Sequence, residues 1–105
     1  MTARLPMARA MTEDELLTAI SEAATWYGWR WFHIRRSDRA QQMGHSGFPD
    51  LILVRGTAMV AVELKTEKGQ LTVDQQVWLD SFTAAGISAL VIRPSDLDSA
   101  LRWLR

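Results

Sequence analysis

The chain contains no cysteine. Disulfides and thiolate metal sites are therefore excluded, and a bound metal must use oxygen or imidazole ligands. Histidine is scarce as well. His33 and His45 are the only two, and they are too far apart and too unpatterned for a zinc motif. No stretch approaches the length of a membrane span. Arg4 and Arg9 flank no continuous apolar region of the kind a signal peptide requires, so a cytoplasmic setting, in a phage-infected or ordinary bacterial cell, is the simplest expectation. There is also no net charge: 12 Lys and Arg balance 12 Asp and Glu, which weighs mildly against a nucleic-acid binder. Distribution counts for more than the sum. Arg30, Arg35, Arg36 and Arg39 cluster around His33 with only Asp38 opposing them, and one basic edge on a neutral domain can track a phosphate backbone.

What is present is apolar. Hydrophobic residues make up 48% of the 105, with five Trp, enough for one domain with one core. Residues 1–11 lack periodicity and read as a flexible N-terminal arm, followed by a single domain over 12–105. Thr12 opens a helix with Leu16, Ile20, Ala23 and Tyr27 on one face, and Gly28 stops it. A strand is expected from Trp29 to Arg35 and a polar, Gly-containing loop from Ser37 to Phe48. Two strongly apolar strands follow, 50–55 and 58–65. Because their apolar residues do not alternate with polar ones, both are expected to be central and covered on both faces. A turn at Glu67–Gln70 leads to a helix from Thr72 to about Ala85, ended by Gly86. Ser88–Arg93 is a fourth strand, and Ser95 is expected to cap a last helix with the stripe Leu97, Ala100, Leu101 and Leu104. The order α-β-β-β-α-β-α gives an α/β fold with a mixed four-stranded central sheet flanked by helices.

The chemistry sits at the ends of the two central strands. Gly56-Thr57 between them is short enough to require a hairpin. Glu63 and Lys65 are two apart and project from the same face, and Asp50 enters the neighbouring strand within reach of that face. Charged residues are costly in strands this hydrophobic unless they are paired or bind a metal. A hard divalent cation held by Asp50 and Glu63 accounts for all three residues together. Taken singly, each has a bland alternative. Asp50 suits a strand entry after Pro49, Glu63 can pair with Lys65 or an arginine, and Lys65 can snorkel to water from a strand end.

Pro49-Asp50 followed by Glu63-Leu64-Lys65 resembles the PD-(D/E)XK signature of metal-dependent nucleases. The wider pattern, Gly44-x-x-Gly47-Phe48-Pro49-Asp50, then Glu63-Leu64-Lys65, then Thr72-x-x-Gln75-x-x-Trp78-Leu79, then Gly86 and a final strand, resembles the virus-type replication-repair nuclease (VRR-NUC) family from about Glu15 onward. The resemblance implies a restriction-endonuclease-like core and an Mg²⁺- or Mn²⁺-dependent deoxyribonuclease leaving 5′-phosphate and 3′-hydroxyl ends. It implies that Asp50, Glu63 and the backbone carbonyl of Leu64 bind the metal, and that Lys65 contacts the attacking water or the scissile phosphate. Stand-alone members resemble Holliday-junction resolvases, which implies branched DNA as substrate, a homodimer, and a role in phage or viral replication and repair. A less selective endonuclease or nickase, and a non-catalytic DNA-binding dimer module, are the alternatives.

Further residues enter through the same resemblance. Gln75 completes a capping box with Thr72, yet the family has a glutamine here, and the stripe Gln75, Trp78, Phe82 would carry its amide toward the metal site. Glu15 completes a capping box with Thr12, yet related nucleases often carry a glutamate on this helix that completes the metal site. Glu13 and Glu22 rival it. Arg35, Arg36, Arg39, His45 and Ser46 are expected to contact DNA, mainly phosphates. His33 reads as a strand residue facing a neighbour, and Trp26, Trp29 and Trp31 as core residues that partly serve a dimer interface.

Overall fold

The computed structural model describes residues 11–34 and 43–105. Among the described residues, three α-helices flank one sheet. Helix α1 spans Glu13–Trp26, strand β1 Arg30–His33, β2 Leu51–Arg55, β3 Ala58–Leu64, helix α2 Val73–Ala84, β4 Ser88–Ile92 and helix α3 Leu97–Trp103. The strands lie in the order β1-β2-β3-β4. β1–β2 and β2–β3 are antiparallel and β3–β4 is parallel. The expected α/β architecture with a mixed sheet and two central strands is thus the observed one.

Local chemistry sets the helix starts. Thr12 and Thr72 each accept a hydrogen bond from the backbone N–H three residues on, and Glu15 and Gln75 reciprocate, so both capping boxes form. Gly28 and Gly86 follow the helix ends at φ +84° and +85°. The last helix begins differently from expectation. Ser95 makes no cap. A 3₁₀ turn at Pro94–Asp96 precedes α3, and the Asp96 carboxylate accepts from the Arg93 N–H at 2.9 Å, while the Ser95 N–H donates to Glu67.

One face of the sheet carries Leu51, Leu53, Val60, Val62 and Leu64, packed against Leu16, Ile20 and Ala24 of α1, Ala100 of α3 and Leu104 just after it. Burying each such side chain fully contributes about 2 kcal/mol. Met11, the last residue assigned to the arm, packs against this core; residues 1–10 lie outside the described residues. Trp29 belongs wholly to the core rather than to a free surface. It is 7% exposed, its indole N–H donates to the Leu104 carbonyl at 2.8 Å, and the Arg55 guanidinium sits 4.4 Å from its ring centre. Trp26 and Trp31, by contrast, are exposed.

The opposite face carries Ile52 and Val54 from β2, Asp50 just before it, and Met59, Ala61 and Glu63 from β3, by strict alternation. Helix α2 packs mainly against its β3–β4 side. Val54 and Met59, near the hairpin tip, stay exposed, so the coverage expected on both faces of the central strands stops short of the turn.

Candidate active site

The hairpin aligns the acids. β2 and β3 are joined by Gly56-Thr57, with Gly56 at φ +60°, a conformation that suits glycine in a two-residue turn. The resulting register pairs Leu51 with Val62. One step further along, Asp50 stands across from Glu63, and directly opposed residues share a face. The Asp50 carboxylate accepts from the Leu64 N–H at 2.8 Å. N–H and C=O of one strand residue face the same neighbour, so the Leu64 carbonyl is directed to the same side. Glu63 is 2% exposed, and its carboxylate lies 3.9 Å from the Lys65 ammonium.

These residues border one cavity of about 650 Å³, lined by Glu13, Asp14, Leu17, Thr18, His33, Asp50, Glu63, Lys65 and Gln75. It lies at the end of the sheet between the first turns of α1 and α2. Four carboxylates face it and one lysine, so the cavity favours a cation. Gln75 reaches it while still capping its helix. Its Oε1 accepts from the Thr72 N–H at 3.0 Å, which leaves the amide NH₂ as a hydrogen-bond donor. The capping and site roles of Gln75 are therefore compatible.

Glu15 is placed elsewhere. Its Oε1 accepts from the Thr12 N–H at 2.9 Å and from the Thr12 hydroxyl at 3.3 Å, so it is committed to the cap. The α1 acids that border the cavity are Glu13 and Asp14. Among the described residues no three His, Asp or Glu side chains converge on one ion position. A cation here would be held by Asp50, Glu63 and a backbone carbonyl. Hard oxygen donors of this kind suit Mg²⁺ or Mn²⁺, and Mg²⁺ in particular retains several of its own waters.

The loop that delivers Asp50 is clamped to α2. The Ser46 hydroxyl donates to Asp74 at 2.5 Å, and the Trp78 indole N–H donates to the His45 carbonyl at 3.3 Å. Phe48 packs edge-on against Trp78 and Phe82, at 5.0 and 5.9 Å between ring centres. Gly47, at φ +90°, lies so close that a Cβ there would stand 2.6 Å from the Asp74 carbonyl carbon. Ser46 and His45 border a separate groove with Asp74, Val77, Trp78 and Ser81. They hold the loop and do not face the carboxylate cavity. Arg35, Arg36 and Arg39 lie outside the described residues.

Two residues near the site gave no usable signal in the sequence. His33 borders the cavity and its Nδ1 lies 2.7 Å from the Asp50 carbonyl oxygen. The sequence placed His33 inside a strand expected to run to Arg35, whereas β1 ends at His33, beside the start of β2. Arg93 donates to the carbonyls of Thr66, Glu67 and Gly69 at 2.8, 3.3 and 2.6 Å. One guanidinium thereby fixes the turn that follows Lys65, and the Lys65 N–H itself donates to Ile92.

Two solved structures share this architecture. One, described as a VRR_NUC domain, is 20% identical with a TM-score of 0.69, covering 89% of this chain and 97% of its own. The other, a VRR_NUC domain protein, is also 20% identical, with a TM-score of 0.64, 90% of this chain and 85% of its own covered. Among curated proteins there is no significant match. The family model of the VRR-NUC domain matches residues 11–96, a span that takes in every element from α1 to the 3₁₀ turn and all of Asp50, Glu63, Lys65 and Gln75. With that match over most of its length, the chain belongs to the VRR-NUC family and has the nuclease-type fold of the PD-(D/E)XK superfamily.

Proposed function

We propose that this protein is a metal-dependent endodeoxyribonuclease that hydrolyses phosphodiester bonds in branched DNA, four-way junctions included, during phage or viral replication and repair. The observation that carries the reading is the meeting of Asp50, Glu63 and Lys65 at one acidic cavity in a fold whose family implies DNA binding. Asp50 and Glu63 would hold the cation, with the Leu64 carbonyl as a third oxygen. When bound there, Mg²⁺ or Mn²⁺ supplies Lewis acidity, lowering the pKa of water and neutralising charge on the phosphate.

The chain's own groups supply the rest. The Lys65 ammonium, beside Glu63 at the cavity wall, donates to a phosphate oxygen and offsets the negative charge that grows in the transition state. The Gln75 NH₂ donates to the substrate or to the attacking water. The Thr72 bond and the α2 cap keep that amide in place, and Arg93 keeps Lys65 from drifting with its turn. Arg35, Arg36 and Arg39 contact phosphates of the DNA backbone.

Cutting two strands of a junction requires two sites, and each chain carries one. A two-fold homodimer supplies the second. β1 is an edge strand, and Trp26, Trp31 and Phe32 stand exposed on and beside it, Phe32 at 63%. Such an edge, with apolar side chains next to it, is a suitable surface for a second copy.

The test is incubation with supercoiled plasmid, linear duplex and synthetic four-way junctions, with and without Mn²⁺ or Mg²⁺, alongside Glu63→Gln. Metal-dependent cutting of junctions ahead of duplex, absent in Glu63→Gln, is the expected result. Equal cutting of all three DNAs would replace the branched-DNA reading by a less selective endonuclease. No cutting in any metal would leave a DNA-binding module. Light scattering at micromolar concentration should give twice 11.9 kDa.

A further inference from the structure

Asp50 is held at both ends. Its carboxylate is fixed by the Leu64 N–H. Its carbonyl lies where the β1–β2 ladder has just ended at the His33–Leu51 pair, and there the imidazole of His33 replaces a strand partner at 2.7 Å. A carbonyl only accepts, so Nδ1 is the donor. On the other side of Asp50, Pro49 is buried and its ring restricts φ. The residue therefore enters β2 with little freedom on either side.

We propose that His33 is a positioning residue that presents Asp50 to the divalent cation. This rests on the reading of Asp50 and Glu63 as cation ligands. A carboxylate already fixed opposite its partner loses less conformational freedom when an ion binds, and losing a hydrogen bond that orients a ligand typically costs about 10- to 100-fold in metal affinity. His33 acts through the Nδ1 bond to the backbone of Asp50. In this reading it is not itself a ligand; among the described residues no three acidic or imidazole side chains converge on one ion position.

The experiment is a calorimetric Mn²⁺ titration of the whole chain without DNA, with thermal melting of each variant. His33→Phe removes the donor. His33→Asn places an amide nitrogen at the position of Nδ1, and His33→Gln at the position of Nε2. Mn²⁺ affinity should fall about 10- to 100-fold in His33→Phe and His33→Gln and stay close to wild type in His33→Asn. Wild-type affinity in a folded His33→Phe protein overturns the proposal, as does retention in His33→Gln with loss in His33→Asn. Should His33→Phe not fold, the Asn and Gln pair decides alone. Asp50→Asn separates the two readings. If Mn²⁺ binding persists there, the cation reading itself has failed. If it is lost there but kept in every His33 variant, only the positioning role is overturned.

Discussion

The carboxylate of Asp50 accepts a hydrogen bond from the backbone N–H of Leu64 at 2.8 Å, which fastens the acid at the start of β2 to the strand that carries Glu63. This bond separates two effects that a single alanine would confuse. Asp50→Ala removes the acceptor and strands a part-buried N–H, at a cost of about 1–3 kcal/mol. Asp50→Asn keeps an acceptor oxygen in place and removes only the charge. Both variants should lose cleavage. Asp50→Asn should melt near wild type, whereas Asp50→Ala should melt roughly 5–20 °C lower. Circular dichroism melts beside a plasmid assay check both. Glu63→Ala should likewise abolish cleavage.

The central part of this geometry was legible because it follows from local rules. A two-residue turn fixes register, register fixes pairing, and alternation then puts Asp50, Glu63 and Lys65 on one face. The capping boxes at Thr12 and Thr72 were legible for the same reason, being short-range. Bonds between a side chain and a distant backbone were not. The contacts of His33 with Asp50 and of Arg93 with Thr66, Glu67 and Gly69 exist only once strand ends and turns have met in space, and no periodicity announces them. Trp29 was misread in part because its indole partner, Leu104, lies at the other end of the sequence. Glu15 and Glu13 differ in position by two residues, which on a helix is a rotation of about 200°. The cap holds Glu15, and Glu13 faces the cavity.

Gln75 offers a way to separate a cap from a site. Glutamate serves as well as glutamine at this position of a capping box, so Gln75→Glu should keep α2 formed. The substitution replaces an NH₂ donor by an acceptor and adds a negative charge to an already acidic cavity. Cleavage should drop at least tenfold with the fold intact. If Gln75→Glu cleaves at the wild-type rate, Gln75 is a capping residue alone.

Gly47 should tolerate no side chain. Its φ of +90° is costly for any other residue, and a Cβ would meet the backbone of Asp74 and Gln75 at 2.6 and 2.7 Å. Backbone in the first turn of a helix cannot yield as a flexible side chain can. Gly47→Ala should destabilise the protein by about 3 kcal/mol or more. It should also slow cleavage at temperatures where the protein is still folded, because the displaced loop carries Asp50. Thermal melting and a rate measured well below the transition check the two parts.

The basic cluster is tested by salt. If Arg36 contacts a phosphate, Arg36→Ala should weaken binding to junction and duplex alike. It should also flatten the slope of log K against log salt by about one unit. An unchanged slope by fluorescence anisotropy would place Arg36 off the DNA path.

Lys65 carries the sharpest kinetic expectation. Its ammonium lies 3.9 Å from the buried Glu63 carboxylate and borders the cavity with Asp50 and Gln75, while Arg93 pins the turn that follows it. A donor held in this way needs little rearrangement as charge develops on phosphorus, and its contribution falls mainly in the transition state. Lys65→Ala should lower single-turnover cleavage by about a hundredfold or more, the scale of losing one positioned electrostatic donor. Mn²⁺ affinity should hold or rise, because a positive charge beside the two carboxylates opposes the incoming cation. Junction binding should weaken only modestly, since one phosphate contact among several is lost. Single-turnover cleavage at saturating enzyme, a metal titration and a binding assay give the three numbers. A wild-type rate in a folded Lys65→Ala protein would reduce Lys65 to a counter-charge for Glu63.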